Sequence, residues 1–311
     1  MLKLIVLGLG VILVAWIGVG LVIEAAFAPK SLRGEMVSIG DRRLRLVCEG
    51  PESGRLVWLE SGAFGFSADF ADLQAALAEQ GFRVCAYDRA GLGFSDPGPR
   101  PRDSAAIVTD LERLMTEAGV TQPAILVGHS MGGQHVRLFA VRHPERVAGV
   151  VLVDAATPEA VDIPMVRRFV DTFGRLSQAV AGLTSAGLAK PLFFLGDRIG
   201  LSGPAVREKQ AAFVSGRHAR NAADEAAHWL ESAAMARAAG RLDPAWPVAV
   251  VTAGESARIS DSAWAAARLA PVEASVAGSY AAVPEAGHAT ILSHSHNAEI
   301  VAAVQRVAAA L

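Results

Sequence analysis

The chain has 311 residues, of which 52% are apolar and 19% charged, and its formal net charge is −2. This length suits one large α/β domain or two small ones, and the apolar content excludes an intrinsically disordered chain. The near-neutral charge, with no run of Lys and Arg, argues against a nucleic-acid partner. The Cys and His spacings match no zinc pattern, so we expect neither a metal nor a cofactor.

Residues 4–23 form an apolar run of 20 residues without a charged side chain. As a helix this run would extend about 30 Å, which is the thickness of a bilayer core. We expect residues 1–28 to be a retained membrane anchor and not a cleaved signal peptide, because signal cores usually have about 7–15 residues. An Ala-x-Ala pattern at residues 26–28 keeps cleavage open as the alternative.

The charges beside this run give conflicting indications of its orientation. Lys3 and the terminal amine favour an amino terminus inside the cell, which would leave the folded domain outside the cytoplasm. Lys30 and Arg33, on the other side of the run, argue for the opposite orientation. We expect the domain to lie outside the cytoplasm, since some arginines after the run belong to the fold.

After a linker at residues 28–35, strand and helix patterns alternate. The predicted strands are 36–39, 43–48, 55–59, 82–87, 124–127, 147–153, 247–252 and 277–283; the predicted helices are 69–80, 104–118, 134–142, 261–270 and 299–311. The first two strands alternate in polarity and predict an antiparallel pair, whereas the later ones are continuously apolar, as in a parallel sheet covered on both faces. Residues 155–244 contain helical stretches broken by prolines, which predicts a helical insertion between two core segments, 36–154 and 245–311.

The chain has two cysteines, Cys48 and Cys85, and both fall within predicted strands. One disulfide between them is possible. We expect two buried unpaired thiols instead, because free cysteine is among the most buried residue types.

A strand-to-helix turn at residues 128–132 carries the strongest chemical motif. It reads Gly-His-Ser-Met-Gly and fits the G-x-S-x-G pattern of a nucleophile at a sharp turn between an apolar strand and a helix. Glycines at both ends are needed because a Cβ there would clash across the turn. The pattern predicts that Ser130 is a nucleophile at a helix N-terminus, where unpaired N–H groups favour a developing oxyanion.

Together with this motif, three further segments carry a resemblance to the α/β-hydrolase superfamily. Residues 61–62 (Ser-Gly) resemble its oxyanion turn, residues 88–95 its loop after the fourth strand, and residues 286–288 (Ala-Gly-His) its catalytic histidine turn. The resemblance covers residues 36–311 except the insertion. It implies an α/β-hydrolase fold, with a mostly parallel eight-stranded sheet flanked by helices and a helical lid at residues 155–244 after strand six.

The resemblance also implies the site residues. His288 is the expected base, with His129, His294 and His296 as rivals, because its order after the nucleophile is that of the fold. Asp154, at the end of the sixth strand, is the expected acid; the loop after the seventh strand has no Asp at the usual distance, and Glu255 and Asp261 remain alternatives. The backbone N–H groups of Ala63 and Met131 are the expected oxyanion hole.

Three other residues near the expected site are charged. Asp88 and Arg89 are expected to organise their loop and not to act in catalysis. Glu60 precedes the oxyanion turn, where a carboxylate would repel an anion. The sequence leaves open which group the Glu60 carboxylate contacts.

These residues predict a serine hydrolase that cleaves a small, hydrophobic carboxylic ester through an acyl-enzyme. The apolar run at the amino terminus would anchor this enzyme in a membrane. The alternatives are another acyl hydrolase such as a peptidase or thioesterase, a cofactor-free perhydrolase on the same triad, and a non-catalytic binding protein on this fold. The serine argues against epoxide hydrolases and haloalkane dehalogenases, because those relatives carry an aspartate at the elbow.

Overall fold

The computed structural model describes residues 1–27, 33–259 and 261–311, without the side chains of Leu2 and Phe27. Residues 28–32 of the predicted linker, which include the last position of the Ala-x-Ala pattern and Lys30, lie outside the described residues, as does Ser260. The strands are β1 (Glu35–Ser38), β2 (Arg43–Glu49), β3 (Leu56–Glu60), β4 (Arg83–Tyr87), β5 (Ala124–His129), β6 (Val147–Val153), β7 (Val248–Ala253) and β8 (Gly278–Val283).

Helices follow or separate these strands, and each predicted helix is present within a few residues of its predicted bounds. They are α1 (Leu2–Phe27), α2 (Ala71–Glu79), α3 (Ser104–Glu117), α4 (Gly132–Arg142), α5 (Pro164–Ser185), α6 (Gly203–Val214), α7 (Gly216–Ala227), α8 (Trp229–Ala239), α9 (Gly254–Ala257), α10 (Ser262–Ala274) and α11 (Ala298–Ala309). Short 3-10 turns lie at 67–70, 144–146, 158–162, 190–195 and 290–292.

The strands form one eight-stranded sheet in the order β1-β2-β4-β3-β5-β6-β7-β8. Strand β2 pairs antiparallel with β1 and β4, and every other pair is parallel. The prediction of a mostly parallel eight-stranded sheet is therefore confirmed. Strands β5, β6 and β7 lie side by side, so the loops after them meet at one edge.

The central strands are mainly apolar because helices cover both faces of the sheet. In β3, Val57 and Leu59 face a core that includes α2 and α11, whereas Leu56 and Trp58 face a second core formed with α3 and α4. Successive side chains of a strand point to opposite faces, so a strand buried on both sides is apolar along most of its length, and polar residues such as Glu60 come at its end.

The prediction of two unpaired cysteines is wrong: Cys48 and Cys85 form a disulfide. The sheet order explains the error. Strand β4 lies between β2 and β3, and its antiparallel register with β2 places Cys48 directly opposite Cys85. Nothing in the spacing of 37 residues along the chain indicates this pairing.

Between β6 and β7, the described chain is helical and contains α5 to α8. Helices α5 and α7 pack together, and α6 lies against the turn at 67–70, above the carboxyl ends of the strands. We call residues 158–227 the cap. The last helix of the predicted 155–244 lid, α8, packs instead against α3 and α4 and contributes Ala236 to the core below.

Helix α1 is long and apolar enough to cross a membrane, and its side chains are almost all exposed. A signal sequence would meet the same criterion. Its second half contacts the 190–195 turn and α6 of the cap.

Candidate active site

Ser130 lies at the tip of the turn between β5 and α4, in a left-handed backbone conformation with φ of 53°. A non-glycine residue rarely adopts this conformation unless its surroundings hold it there. Here the Ser130 N–H donates to Val153 O (3.1 Å), and the Ser130 carbonyl accepts from Gly133 N (3.1 Å) and Ala156 N (2.9 Å). These bonds fix the turn between two parallel strands.

The glycines around Ser130 are required by close backbone contacts. A Cβ at Gly132 would lie 2.4 Å from Glu60 O, and one at Gly62 would lie 2.8 Å from the Cβ of Ser130. Such distances exclude any side chain, so these two glycines allow the turn at Ser130 and the turn after β3 to touch.

The structure brings Ser130, His288 and Asp154 together in one hydrogen-bonded series. His288 Nε2 lies 2.9 Å from Ser130 Oγ, and His288 Nδ1 lies 2.6 Å from Asp154 Oδ2. The three residues follow β5, β8 and β6, at the carboxyl edge of the sheet. The serine and the aspartate are buried, whereas the histidine side chain is 49% exposed.

Asp154 is held as a carboxylate with several donors around it. Its Oδ2 also accepts from Ser256 Oγ (2.8 Å), and its Oδ1 accepts from Ala253 N (3.2 Å). Burial alone would raise the pKa of Asp154, but the hydrogen bonds from His288 and Ser256 outweigh it and lower the pKa below the usual value. An anionic Asp154 fixes the His288 tautomer with its proton on Nδ1, leaving Nε2 free to accept.

The two alternative acids lie elsewhere. Asp261 accepts hydrogen bonds from the backbone of Ala263 and Trp264 and so caps α10. Glu255 is exposed on α9 and lies beside Gly287. Within the described chain, the hydrogen bonds of the His288 ring go to Asp154 and Ser130 and to neither alternative acid.

The rival histidines also have other contacts. His129 Nε2 lies 2.9 Å from the carbonyl oxygen of His288, and its ring lies 4.9 Å from the His288 ring. Burial, followed by the nearby His288, lowers the pKa of His129 to about 3, so it is neutral and donates to that carbonyl. His296 contacts Ser293, and the backbone N–H of His294 donates to Asp72.

Arg89 organises the turn after β3. Its guanidinium donates to Ser61 O (2.7 Å), to Gly62 O (2.8 Å) and to Glu60 Oε1 (2.7 Å). It also donates three hydrogen bonds to the carboxylate of Glu225, which lies on α7 in the cap. The open question about Glu60 is thereby answered: its carboxylate pairs with Arg89 and accepts from Tyr87 Oη (2.7 Å).

The contact between Arg89 and Gly62 O also orients the next amide. The carbonyl of Gly62 and the N–H of Ala63 belong to one trans peptide and point in opposite directions. By holding this carbonyl, Arg89 directs the Ala63 N–H away from itself. Among the described residues, neither the Ala63 N–H nor the Met131 N–H donates a hydrogen bond.

Two cavities meet at this site, and Ala63, Ser130 and His288 line both. The larger cavity has a volume of about 470 Å³ and lies beneath α5. Most of its walls are apolar side chains from the cap, from α8 and from the region of α10: Val161, Met165, Val166, Phe169, Val170, Phe173, Trp229, Ile259 and Trp264. Phe173 packs edge to face against Trp229 at 5.8 Å.

The smaller cavity, about 280 Å³, has both charged and apolar walls. Lys209 and Asp69 form an ion pair (2.6 Å) at its edge, and Val180 and Leu195 form another part of its lining. His218 lies at the bottom, where its Nδ1 accepts from Gly93 N (2.9 Å). Burial lowers the pKa of His218 to about 3, so the ring is neutral.

The sequence patterns did not indicate Ser256, Lys209, the role of Arg89 in holding the turn after β3, or the aromatic residues of α5. Ser256, Lys209 and Arg89 each contact a partner distant in sequence, which no local pattern reveals. Only α5 has a recognisable sequence pattern. Its apolar residues recur at helical spacing.

With this geometry described, the chain can be compared with known proteins. Residues 56–294 match the family model described as alpha/beta hydrolase fold. The chain belongs to that family. The predicted fold class is thus confirmed.

Individual relatives carry several different names. "Putative carbamate hydrolase RutD" of Caulobacter segnis is 32% identical over 184 residues, which cover 57% of this chain and 60% of that protein. In three other curated relatives the matched segment spans only 18%, 15% and 40% of the relative's length.

Two solved structures show the same fold. Cfl2 of Burkholderia cenocepacia has a TM-score of 0.70 at 21% identity, covering 89% of this chain and 99% of that one. A structure titled "putative epoxide hydrolase" from Pseudomonas aeruginosa has a TM-score of 0.69 at 18% identity, covering 89% and 95%. At these identities the likeness concerns the fold alone.

Proposed function

We propose that this protein is a serine hydrolase that cleaves a carboxylic ester through an acyl-enzyme intermediate. The observation that carries the proposal is the series from Ser130 Oγ to His288 Nε2 (2.9 Å) and from His288 Nδ1 to Asp154 Oδ2 (2.6 Å). A serine hydroxyl is a weak nucleophile at neutral pH and requires a base at this distance.

In the acylation step, Ser130 Oγ attacks the ester carbonyl carbon while its proton passes to His288 Nε2. Asp154 stabilises the resulting imidazolium through Nδ1 without taking the proton. The carbonyl oxygen becomes an oxyanion, for which the N–H groups of Ala63 and Met131 are the proposed donors. When the tetrahedral intermediate collapses, the C–O bond to the alcohol breaks and His288 returns its proton to that oxygen.

Deacylation repeats these steps with water as the nucleophile. Water takes the place of the alcohol, and His288 Nε2 accepts a proton from it as it attacks the acyl carbon. Collapse of the second intermediate releases the acid and returns the proton to Ser130 Oγ.

The larger cavity supports a hydrophobic ester as the substrate. Its walls are mainly aliphatic and aromatic side chains, and its volume of about 470 Å³ is within the usual range for a small-molecule site. One arm of an ester bound at Ser130 would extend into this cavity and the other into the smaller cavity.

The first test uses a fluorescent phosphonate probe and p-nitrophenyl esters on the full chain in detergent micelles. We expect labelling and turnover in the wild type, and loss of labelling with at least about a 10³-fold loss of turnover in Ser130→Ala. Ser53→Ala, in an exposed turn, is the matched control. Folded wild-type protein that is neither labelled nor active on esters, carbamates or thioesters would favour a binding protein.

We also propose that α1 is a retained anchor and that the domain lies outside the cytoplasm. The length and apolarity of α1 and the disulfide between Cys48 and Cys85 support this, since disulfides persist mainly in oxidising compartments. A membrane-impermeant maleimide should label Glu52→Cys in intact cells. Labelling only after lysis would place the domain in the cytoplasm, and loss of the α1 peptide from the mature protein would indicate cleavage.

A further inference from the structure

Helix α5 has an exposed apolar stripe in addition to its buried face. Met165, Phe169, Leu176, Val180 and Leu183 are 51%, 58%, 60%, 44% and 49% exposed. Their separations of four, seven, four and three residues place them on one side of the helix. An exposed apolar surface of this kind on a folded domain usually marks a contact with a partner or a membrane.

The stripe continues into the 190–195 turn, where Phe194 and Leu195 are 58% and 47% exposed. The two segments are neighbours because Val180 and Leu195 line the same cavity. Exposed arginines, Arg168 and Arg175, lie beside the stripe at a helical spacing of seven residues. Apolar residues flanked by arginine are typical of helices that lie in a membrane interface.

Helix α1, the proposed anchor, contacts the chain beside this surface. Trp16 Nε1 of α1 donates to Leu188 O (2.9 Å), Glu24 pairs with Lys190, and Gly20 lies against the Lys190 side chain. Trp16 precedes the end of the apolar run at Ile23 by seven residues, or about 10 Å of helix. If α1 crosses a bilayer with these contacts intact, the chain at 188–195 must lie at or below the lipid headgroups.

The same surface borders both cavities. Met165 and Phe169 line the larger cavity, whereas Val180 and Leu195 line the smaller one, and all four are also exposed at the outer surface of the cap. The stripe therefore borders the route from the outside to Ser130. A substrate that reaches the site past these residues crosses an apolar surface.

We propose that the apolar stripe of α5, together with the 190–195 turn, is seated in the lipid leaflet next to the domain, and that the ester reaches Ser130 directly from the bilayer. The substrate class is an amphipathic ester dissolved in the membrane, with its acyl chain in the larger cavity. This inference rests on the proposed ester hydrolysis and on α1 as an anchor. The bilayer is the occupant because α1 contacts Leu188 and Lys190, just beyond the end of α5 and its stripe.

The seating of the cap can be tested without any activity. The full chain carrying Leu176→Cys is labelled with an NBD fluorophore and reconstituted into phosphatidylcholine–phosphatidylglycerol vesicles; the two native cysteines are paired and do not react. Val276→Cys is the control. Val276 is 79% exposed and precedes β8, so it lies at the amino ends of the parallel strands, whereas the cap lies at their carboxyl ends. We expect nitroxide lipids to quench the probe at position 176 and iodide in the water to quench the probe at position 276.

Equal iodide quenching at both positions would overturn the proposal. Shielding of position 176 from both quenchers, dependent on protein density in the vesicles, would overturn it in favour of a second copy of the chain. Neither result depends on whether the protein hydrolyses esters, so a failure of the proposed function remains distinguishable.

The substrate class is tested with Leu176→Ser/Leu183→Ser, two exposed positions that line neither cavity. In vesicles, we expect hydrolysis of a long-chain ester in the bilayer to fall about tenfold, because the cap loses apolar contact with lipid. Hydrolysis of water-soluble p-nitrophenyl acetate should stay within twofold of the wild type. Equal losses on both substrates, or no loss on either, would contradict access from the bilayer.

Discussion

At the scale of single residues, backbone strain coincides with the proposed chemistry. Ser130 and Asp154 both have positive φ, at 53° and 42°, and each is the first residue after the carboxyl end of a buried parallel strand. Such conformations cost about 1–3 kcal/mol each and persist where the surrounding structure fixes them. Here the strands hold the two side chains at a distance that His288 bridges.

Replacing Asp154 by Asn should separate its role from that of the alternative acids. The amide of Asp154→Asn would keep the size of the side chain but present no negative charge to His288, so we expect kcat to fall about 10³–10⁴-fold with a much smaller change in KM. Steady-state kinetics on a p-nitrophenyl ester measures this. Glu255→Gln is the matched control and should keep nearly full activity; the reverse pattern would identify Glu255 as the acid.

Arg89 should affect the transition state although it lies behind the oxyanion turn. In Arg89→Lys, an ammonium cannot hold Ser61 O, Gly62 O and Glu225 together, so the Ala63 N–H loses its fixed direction. We expect kcat to fall about 10–100-fold with little change in KM, because an oxyanion donor acts mainly in the transition state. The rates are compared at equal concentrations of the protein that the phosphonate probe labels.

Glu225→Gln provides the control for Arg89. It weakens the link to the cap and leaves the contacts of Arg89 with Ser61 and Gly62 in place. Its effect on kcat should be smaller than that of Arg89→Lys. A KM effect without a kcat effect in Arg89→Lys would show that Arg89 supports binding only.

At the scale of elements, buried ion pairs hold the cap on the sheet. Glu208 of α6 pairs with Arg45 of β2 (3.0 Å), and Glu225 of α7 pairs with Arg89 (2.8 Å). Charges buried to this degree are tolerated only when paired, and loss of one partner usually costs about 3–5 kcal/mol. The cap therefore docks through specific polar contacts near the site, while its outer surface on α5 is apolar.

The disulfide is the second device that joins elements distant in sequence. It connects β2 to β4 and closes a separation of 37 residues, for which loop entropy predicts about 3–4 kcal/mol of stabilisation. We expect Cys48→Ala/Cys85→Ala to lower the unfolding temperature by roughly 5–10 °C, measured by circular dichroism in micelles. Dithiothreitol should lower the wild-type value similarly and leave the double variant unchanged; an unaffected wild type would mean that the thiols are not paired.

At the scale of the whole molecule, buried neutral histidines make stability depend on pH. Burial lowers the pKa of His129 and His218 to about 3 and holds that of His135 well below its usual value. Between pH 6.5 and these values the unfolded chain binds protons that the folded protein does not. The stabilisation is complete above about pH 6.5 and is lost as the pH falls, by up to about 1.4 kcal/mol per pH unit for each histidine.

His218→Asn should reduce this dependence. Asparagine does not titrate, so the decline in unfolding temperature of the full chain in micelles between pH 6.5 and 4.5 should be shallower than in the wild type. Thr184→Ala, in the same cavity, should shift the temperature at every pH without changing the slope. Parallel curves for His218→Asn and wild type would refute protonation of His218 as a cause of acid unfolding.

The sequence by itself determined the order of strands and helices and the glycine-flanked turn at Ser130, since these depend on local pattern and on steric limits between near neighbours. Through its resemblance to the α/β-hydrolase superfamily, it also singled out His288 and Asp154, each of which follows a predicted strand. Their roles stay proposals, but the structure does bring the three side chains together. Parallel strands end at one edge of the sheet, so residues that follow neighbouring strands must meet there.

Only the tertiary structure decided which distant residues touch. The disulfide depends on β4 lying beside β2. The anchoring of the turn after β3 depends on Arg89, which Glu225 of the cap holds in place, and the two cavities depend on how α5 to α7 lie over the sheet. None of these contacts has a local signal, because each joins segments whose separation along the chain carries no information about their distance in space. For the same reason, the exposed face of α5 could be recognised only from the structure, which shows which side of the helix packs against the rest of the protein.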